Sequence, residues 1–501
     1  MKRTTILPLM AALLCTLSAE AKKNVNNAPY PYGNPVIKHM YTADASPHVM
    51  PDGRVWMVTS VDLDAGGGYS TMHSYRMFSS ADMLNWVDHG EALHINDVIS
   101  PEPEGEDWAL WAPDMIYKDG LYYLYFPVNV REKGMQKAKA TWTGVAVSND
   151  LAKPFKVIQE RIPGTKGIDP AVFRDDDGKI YLYYGSQSVA ELKDNMIEFA
   201  SPIKTIDVDS KKILKDEAFQ KMWTGKAKNK SYGGGIYMEG PWMHKHNGKY
   251  YFNYHTRYGS DIRGYEDDPT RRKSELGYSV GSSPWGPLEY GGTLNRELGV
   301  GVSFPDGSQV SWRYTQSNHG GVVEYHGKDY LFYHTSALSS WRQDAFKAEG
   351  TWTQRSVCVD EIVYDANDKP QPVKQTIVGV TPVVVDQPFE VKITKEVEST
   401  GGTQFDCQTV DFGSGYYYFD AIIRDHTQSG HLELRLGSPN GQLVGTCNVT
   451  PQGLAKRNGL IETSIRDAKG KQRLYLVWTG KKHLNTIHAP RIFAGAPLER
   501  K

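Results

Sequence analysis

The feature that most constrains this chain is a short segment that recurs five times. Without gaps, the copies align at residues 44–60, 111–127, 169–185, 239–255 and 318–334. Each copy has a glycine nine residues after its start, at Gly53, Gly120, Gly178, Gly248 and Gly327. Asp or Asn precedes this glycine in four copies, and an aromatic residue follows it by three positions in all five. Asp-Gly and Asn-Gly favour tight turns between antiparallel strands, so each copy is predicted to be a β-hairpin.

The spacing of the copies indicates how the hairpins are arranged. They begin 58 to 79 residues apart, and the intervals contain further short β-rich runs but little helical periodicity. A unit of about four strands repeated five times is typical of a β-propeller. A large β-sandwich is the alternative, but it would not explain one hairpin recurring at this spacing. The predicted fold class is all-β, with a five-bladed β-propeller over residues 28–380.

Acidic residues concentrate at the first position of the copies. These positions hold Asp44, Trp111, Asp169, Glu239 and Asn318. Equivalent positions of related blades converge on the propeller axis, where clustered carboxylates repel one another. A metal site is one use for such a cluster. Catalysis by one protonated and one ionised acid is the other, and it is favoured because small polar residues flank Asp44 whereas apolar and aromatic residues flank Glu239.

The sequences around these positions resemble glycoside hydrolase family 43. The matching motifs are TADASPH at 42–48, WAP at 111–113, GIDPA at 167–171, MEGPW at 238–242 and QRSVCVD at 354–360. The resemblance covers about residues 28–375 and implies a five-bladed propeller that cleaves arabinosyl or xylosyl linkages with inversion.

The resemblance also implies roles for individual residues. Asp44 would be the general base, Glu239 the general acid, and Asp169 the residue that tunes the acid and orients the substrate. Inversion needs a water between base and sugar, so the two working carboxyls are expected roughly 6.5–9.5 Å apart. Trp111 and Trp242 would provide apolar walls for the sugar, and Arg355 would donate to a sugar hydroxyl. Core packing is the alternative for Trp242, and a surface salt bridge for Arg355.

Three further motifs were considered for metal binding or other chemistry. The resemblance implies a structural calcium ion near His319 that the chemistry does not require; a hydrogen-bonding histidine is the alternative. His244 and His246 flank a predicted turn and are interpreted as surface residues. The sequence GYSVG at 277–281 matches the serine-hydrolase elbow, but no helix follows it, so this chemistry is not predicted.

The N-terminus has the pattern of an export signal. Lys2 and Arg3 precede an apolar run at 6–17, and AEA at 19–21 fits a cleavage site, so residues 1–21 are predicted to be a signal peptide. The run is shorter than the ~20 apolar residues that span a bilayer. A lipid anchor on Cys15 is the alternative, which the preceding Leu14 disfavours. The protein is expected to be periplasmic or secreted, without a membrane span.

The repeat ends before the last hundred residues. Short alternating strands predict a β-sandwich over residues 386–501. The stretches GYYYFDA at 415–421 and LYLVW at 474–478 resemble a family 6 carbohydrate-binding module, which leaves sugar binding and a structural cap as alternatives. Three cysteines remain after removal of the signal peptide, and Cys407 with Cys447 is the plausible disulfide.

These observations define the expected function. With 57 basic and 58 acidic residues, the chain has no electrostatic footprint for nucleic acid. The first hypothesis is an exported inverting hydrolase that releases α-L-arabinofuranosyl side chains from arabinoxylan, a plant cell-wall polysaccharide, or from its oligosaccharides. The alternative in the same class is a β-xylosidase acting on xylo-oligosaccharides. A non-catalytic carbohydrate-binding propeller is the alternative in another class, although it would be expected to have lost one of the three acids. A β-sheet scaffold with no sugar ligand is the least favoured.

Overall fold

The structure is a computed structural model that shows two all-β units. It describes residues 33–63, 69–135, 137–213, 237–257, 274–296, 302–303, 309–310, 317–342, 354–381, 383, 390–392, 396–412, 417–456, 458–465, 468 and 470–493. The predicted signal peptide lies outside this part of the chain. No helix within it is long and apolar enough to cross a membrane.

The first three antiparallel sheets follow one another along the chain. The first sheet contains β1 (Tyr41–Val49), β2 (Val55–Asp62), β3 (Ser74–Ser80) and β4 (Val87–His94). The second contains β5 (Glu106–Leu110), β6 (Asp114–Lys118), β7 (Leu121–Glu132), β8 (Ala138–Ser148) and β9 (Lys156–Gln159). The third contains β10 (Ala171–Arg174), β11 (Ile180–Tyr184), β12 (Ser188–Glu191) and β13 (Lys204–Thr205). In the second sheet β5 and β6 pair with opposite ends of β7, so the break between them places Trp111 at the inner end of the blade.

The last two blades complete the predicted count. The fourth contains β14 (Tyr237–His246), β15 (Lys249–Arg257), β16 (Ser274–Gly281) and β17 (Glu289–Arg296). A small pair, β18 (Val302–Ser303) and β19 (Gln309–Val310), precedes the fifth sheet, whose described strands are β20 (Val322–Tyr325), β21 (Lys328–Thr335) and β22 (Ser356–Ile362). Short helices lie at Tyr69–Thr71, Ile95–Val98, Ser210–Ile213, Ala337–Arg342 and Pro451–Lys456. The prediction of a five-bladed propeller is confirmed.

The turns show how far the repeat determines the hairpins. All five repeat glycines have positive φ, between 76° and 87°, which costs a glycine little. The preceding residue also has positive φ at Asp119, Asn247 and His326, as a two-residue type I′ turn requires. Asp52 and Asp177 do not share this conformation, and their hairpins close through longer loops. The glycine is therefore the constant element of the turn, and the residue before it sets the loop length.

Asp114 links three consecutive blades from a fully buried position. Its Oδ1 accepts hydrogen bonds from Ser46 and, at 2.6 Å, from Nε2 of His48, both on β1. Its Oδ2 accepts from the backbone N–H of Val172 on β10 at 2.6 Å. One carboxylate on the second blade thus satisfies donors from the first and the third. Burying a carboxylate costs free energy unless both of its oxygens accept hydrogen bonds. Because the donors here come from neighbouring blades, these bonds fix the relative positions of the three blades.

The ring closes through side chains and one isolated bridge between the fifth and first blades. The amide of Asn34 donates to the carbonyl of Val359 at 3.0 Å and accepts from the N–H of Val359 at 2.9 Å. A parallel bridge joins Ala45 on β1 to Gly320, which precedes β20. The described residues of these two blades share no sheet, and buried apolar side chains such as Val55 and Phe332 pack between them in addition to these hydrogen bonds.

The C-terminal unit is a sandwich of two sheets. One contains β23 (Glu390–Lys392), β24 (Glu396–Glu398), β26 (Tyr417–Ile422), β29 (Leu460–Ile465) and β31 (Thr486–Phe493). The other contains β25 (Gln404–Asp411), β27 (Gly430–Leu436), β28 (Gln442–Val449) and β30 (Lys471–Trp478). Buried apolar side chains such as Phe405, Phe419, Leu432 and Trp478 fill the space between them. The predicted β-sandwich is confirmed.

The predicted disulfide is wrong. Cys407 lies on β25 and Cys447 on β28, and the three cysteines in the described residues form no disulfide with one another. β25 and β28 are opposite edges of one four-stranded sheet, so about 14 Å of sheet separates them. A disulfide requires Cα atoms closer than about 7 Å. The strand order, which sequence spacing does not reveal, excludes the bond.

Replacing Asp114 with Asn is expected to destabilise the propeller by about 2–4 kcal/mol. Both carboxylate oxygens of Asp114 accept hydrogen bonds, whereas an asparagine has one oxygen and one NH2 group. The NH2 group would face either the N–H of Val172 or the donors of Ser46 and His48, and no hydrogen bond could form there. Chemical denaturation of the purified protein measures the effect. Asp119→Asn is the matched control, because that side chain is 82% exposed at a hairpin turn. Equal stabilities of the two variants would contradict the inter-blade role of Asp114.

Candidate active site

Three buried acids lie on, or directly before, the innermost strands of their blades. Asp44 is on β1 and Glu239 on β14, whereas Asp169 precedes β10. Each is at most 5% exposed. Asp169 contacts the β14 backbone, because its Oδ2 accepts from the N–H of Gly240 at 2.9 Å. The charges of Asp44 and Glu239 both act on Asp169, so the structure brings the three predicted acids together.

Local backbone irregularities turn these side chains towards the axis. Asp44 and Asp169 have φ values of 54° and 55°, and Gly240, next to Glu239, has a φ of 60°. The β1–β2 and β14–β15 registers shift at the same places, between Ala43 and Ser46 and directly after Glu239. Bulges and positive φ in non-glycine residues are uncommon in strands and redirect side chains at functional sites.

Asp44 is bound to a cation. Arg355 donates from Nη1 to Oδ1 of Asp44 at 2.9 Å, and from Nε and Nη2 to the two oxygens of Asp62, also at 2.9 Å. Burial lowers the pKa of the Arg355 guanidinium, but the two carboxylates raise it well above its usual value. Arg355 therefore stays charged and places its positive charge directly against the carboxyl group of Asp44.

This placement of Arg355 differs from the expectation that it donates to a sugar hydroxyl. The side chain is 1% exposed, and the two carboxylates already occupy its guanidinium. The ion pair is also not the surface salt bridge considered as the alternative. Asp62, at the end of β2, was not identified from the sequence, and no motif marks it.

Glu239 has a histidine partner. Nδ1 of His255, on β15, lies 3.1 Å from Oε1 of Glu239, and His255 is fully buried. His334 holds the same last position in its copy of the repeat, and its Nδ1 lies 3.7 Å from Oδ1 of Asp44. Sequence reasoning missed both histidines, although their identical position in two repeat copies was a usable signal.

Within the described residues, Asp169 has no arginine partner of the kind that Asp44 has, and it accepts a hydrogen bond from the backbone N–H of Gly240. Burial raises its pKa; the charge of His319 lowers it, and the charges of Glu239 and Asp44 raise it, to about 7. The hydrogen bond from Gly240 favours the ionised form but does not outweigh burial. Asp169 therefore changes its protonation near neutral pH.

Glu239 and Trp111 line one cavity of about 650 Å³ between the second and third blades. Trp111 is half-buried, and its Nε1 donates to the carbonyl of Tyr69 at 2.9 Å. Backbone at Gly167, Ile168 and Gly185–Ser188 forms the opposite side. Trp111 thus borders the same cavity as Glu239, and its role as an apolar wall for the sugar stays a prediction.

Trp242 lies elsewhere, in the core. Its Nε1 donates to the carbonyl of Val322 at 3.1 Å, and its ring packs against Gly321 and the ring of His48. Of the two roles considered for Trp242, the structure shows core packing between the fourth and fifth blades.

The prediction that His244 and His246 lie at the surface is wrong. His244 is 9% exposed and stacks on Tyr251, and burial lowers its pKa to about 3. His246 is partly buried, and its Nδ1 bonds to Asp329 on the next blade at 2.7 Å. Both side chains belong to the contact between the fourth and fifth blades.

His319 meets only part of the requirement for a metal ligand. Its Nε2 is buried, has no hydrogen-bond partner in the described structure and lies 3.8 Å from Oδ1 of Asp44. The described residues nevertheless contain no group of three His, Cys, Asp or Glu side chains arranged around a metal position. Calcium prefers six to eight oxygen ligands, so this donor set does not by itself fit the ion. The calcium ion stays a prediction, and no chemical step below depends on it.

Comparison with known proteins gives the family. Residues 32–370 match the family model described as "Glycosyl hydrolases family 43". The chain belongs to this family. It is a glycoside hydrolase of the arabinosidase or xylosidase type. Residues 397–489 match the model of a carbohydrate binding module of family 6, which agrees with the resemblance found in the tail.

Named relatives fall into two groups by coverage. The "Xylosidase/arabinosidase 43A" of Humicola insolens is 32% identical over 67% of this chain and 97% of its own length. The "Arabinoxylan arabinofuranohydrolase" of Bacillus subtilis (strain 168) is 28% identical over 95% of both chains. A crystal structure of a family 43 arabinoxylan arabinofuranohydrolase from Bacillus subtilis covers 95% of this chain and 100% of its own, with a TM-score of 0.55 at 23% identity. That likeness shows that both units share its fold.

The unusual pKa of Asp169 predicts how stability depends on pH. A protonated Asp169 favours the folded state, because its pKa of about 7 exceeds the usual 3.8. This contribution is complete below the usual pKa of 3.8 and is lost progressively as the pH rises from there to about 7. Asp169→Asn lacks the titrating group, so its stability relative to wild type should rise by on the order of 2–3 kcal/mol between pH 5 and pH 8.

Thermal unfolding at both pH values measures this change. Asp177→Asn, at an exposed turn of the same blade, is the matched control and should show a constant difference from wild type. A constant difference for Asp169→Asn as well would contradict the raised pKa.

Proposed function

We propose that this family 43 hydrolase releases α-L-arabinofuranosyl side chains from arabinoxylan or its oligosaccharides, with inversion. The observation that carries the proposal is the pair of unequal environments around two buried acids. Arg355 binds Asp44 at 2.9 Å and favours its ionised form, whereas Glu239 borders the cavity and has a neighbouring histidine. An ionised base and a separate acid are what single-step inversion requires.

The proposed reaction uses the two acids on opposite sides of the bond. Asp44 removes a proton from a water molecule, and that water attacks the anomeric carbon of the arabinofuranosyl group. Glu239 gives its proton to the glycosidic oxygen as the bond to the leaving sugar breaks. The product carries the opposite anomeric configuration. Asp44 then releases its proton to solvent, and Glu239 takes one up, which restores both groups for the next turnover.

Asp169 has a positioning role in this proposal. Its bond to the N–H of Gly240 at 2.9 Å holds the strand segment that carries Glu239. A negative charge on Asp169 favours the protonated form of Glu239, which the acid needs before reaction. Since the pKa of Asp169 is about 7, this help increases as the pH rises towards neutrality.

Two observations support arabinoxylan debranching over xylosidase action. The Bacillus subtilis arabinofuranohydrolase aligns with both units of this chain, whereas the Humicola insolens xylosidase/arabinosidase aligns with about the propeller length. The second unit matches a carbohydrate-binding family, and a binding module suits a polymeric substrate. β-Xylosidase action on xylo-oligosaccharides is the second candidate, supported by the mixed names of the relatives. Export to the periplasm or medium belongs to the same proposal and rests on the sequence of residues 1–21.

The released sugar distinguishes the two candidates. Wild-type protein is expected to release arabinose from wheat arabinoxylan and little or no xylose from linear xylo-oligosaccharides. Chromatography of the products, with the anomer followed by proton NMR in the first minutes, measures both specificity and inversion. Xylose released from the oligosaccharides alone would establish the β-xylosidase instead. Retention of the anomeric configuration would contradict the roles given to Asp44 and Glu239.

Leaving-group dependence tests the two acids separately. Glu239→Gln should lower kcat/KM on arabinoxylan by roughly 10²–10⁴-fold. It should lower kcat/KM far less on 4-nitrophenyl α-L-arabinofuranoside, whose leaving group needs no proton. Asp44→Asn should be equally damaging with both substrates, because water must be activated in each case. Glu198→Gln, on a half-exposed side chain of the third blade, is the control. Equal losses of Glu239→Gln on the two substrates would contradict its role as general acid.

A further inference from the structure

One wall of the cavity beside Glu239 carries positive charge. The hairpin of β7 and β8 forms this wall, and alternate residues of its strands face the cavity. Asn129 pairs with Thr141 and Arg131 pairs with Ala138 across the hairpin, so these four share a face. All four line the cavity.

Arg131 is buried without a carboxylate partner. It is 5% exposed, and its Nε donates to Oδ1 of Asn129 at 2.9 Å. Its guanidinium carbon lies 4.8 Å from the centre of the Trp111 ring. Asp107 lies opposite Arg131 on β5, but its Oδ2 accepts from the N–H of Gly134, and within the described residues no ion pair forms with Arg131. Burial lowers the pKa of Arg131, and the charges of Asp107 and Tyr69 offset this effect only in part.

Two other side chains on this side of the cavity, Asn129 and Lys166, also carry hydrogen-bond donors. The Nδ2 of Asn129 is buried and has no hydrogen-bond partner in the part of the chain that the structure describes. Lys166, an exposed cation, lies along the same cavity, and Glu239 is the one acidic residue among the described residues that line it. While Glu239 holds its proton as general acid, the described lining therefore carries two positive charges and no negative one.

The contact with Trp111 does not account for the burial of Arg131. On the outer face of the same hairpin, Arg161 lies 5.6 Å over the ring of Trp142 and is exposed. An arginine can therefore contact a tryptophan here without losing its hydration. Burying Arg131 costs free energy that the described contacts only partly offset.

We propose that this cavity binds the carboxylate of an acidic sugar, a uronosyl unit carried by the substrate next to the bond that is cleaved, with Arg131 as its principal ligand. The proposal rests on the hydrolase function proposed above and deepens it. The planar guanidinium fork matches a carboxylate in two parallel hydrogen bonds, whereas a neutral sugar hydroxyl needs no buried cation. Asn129 and Lys166 would supply further donors for the carboxylate oxygens.

A charge-matched substrate pair tests this inference. One substrate is an arabinoxylo-oligosaccharide with a glucuronosyl branch, and the other is the same oligosaccharide with that carboxyl methyl-esterified. Wild type should prefer the free acid by about tenfold to a hundredfold in kcat/KM. Arg131→Gln should reduce this ratio to near one, and Arg131→Lys, which keeps the charge but not the fork, should give an intermediate ratio. Arg161→Gln is the matched control and should keep the wild-type ratio.

Binding separates the two proposals from each other. Calorimetric titration of Glu239→Gln, with and without Arg131→Gln, uses the same two oligosaccharides and needs no turnover. If neither substrate is cleaved but the free acid binds at least tenfold tighter and loses this advantage with Arg131→Gln, the proposed function fails and the inference holds. A wild-type ratio near one in both assays, or a ratio that Arg131→Gln leaves unchanged, overturns the inference. Thermal unfolding of each variant identifies any that does not fold.

Discussion

The ion pair between Arg355 and Asp44 is the interaction on which the rest of the site depends. It joins the fifth blade to the first, and it places a permanent positive charge against the proposed base. Asp62 binds the remaining side of the same guanidinium, so the arginine cannot leave Asp44 without exposing a second buried carboxylate. Removing one member of such a buried group is strongly destabilising, because an uncompensated charge stays behind. Arg355 therefore both holds two blades together and positions a charge beside the proposed base.

Three neighbouring carboxylates would repel one another if all were ionised, and in this site each has a different neighbouring group. Among the contacts of the described residues, Asp44 has a cation, Glu239 a histidine, and Asp169 the backbone N–H of Gly240. Since equal partners would leave three like charges in one buried place, unequal ones separate the protonation states. Burial is the largest cause of the raised pKa of Asp169, and the charges of Glu239 and Asp44 raise it further.

The sequence was most informative where the repeat applied. Hairpins, their glycine turns and the three inward acids all follow from residues in register, since blades related by rotation place equivalent residues at one axis. Contacts between distant segments were not visible, because nothing in the spacing of Arg355 and Asp62 relates them. The same reason explains the disulfide that does not form, since the order of strands in the sandwich sheet is set by long-range pairing. Trp242 shows the remaining limit: a motif tryptophan next to an acid can belong to the core.

The contacts that close the ring join segments far apart in the sequence, and this separation determines when the protein becomes active. Asp44 and Arg355 are 311 positions apart, and Asn34 and Val359 are separated by 325. Contacts of such long range form late, after the loop between them has been closed. A newly synthesised chain therefore has no ion pair at its proposed base until almost the whole propeller has assembled. The active site is therefore completed only when the fold is completed. An incompletely folded copy would not hydrolyse the sugars around it.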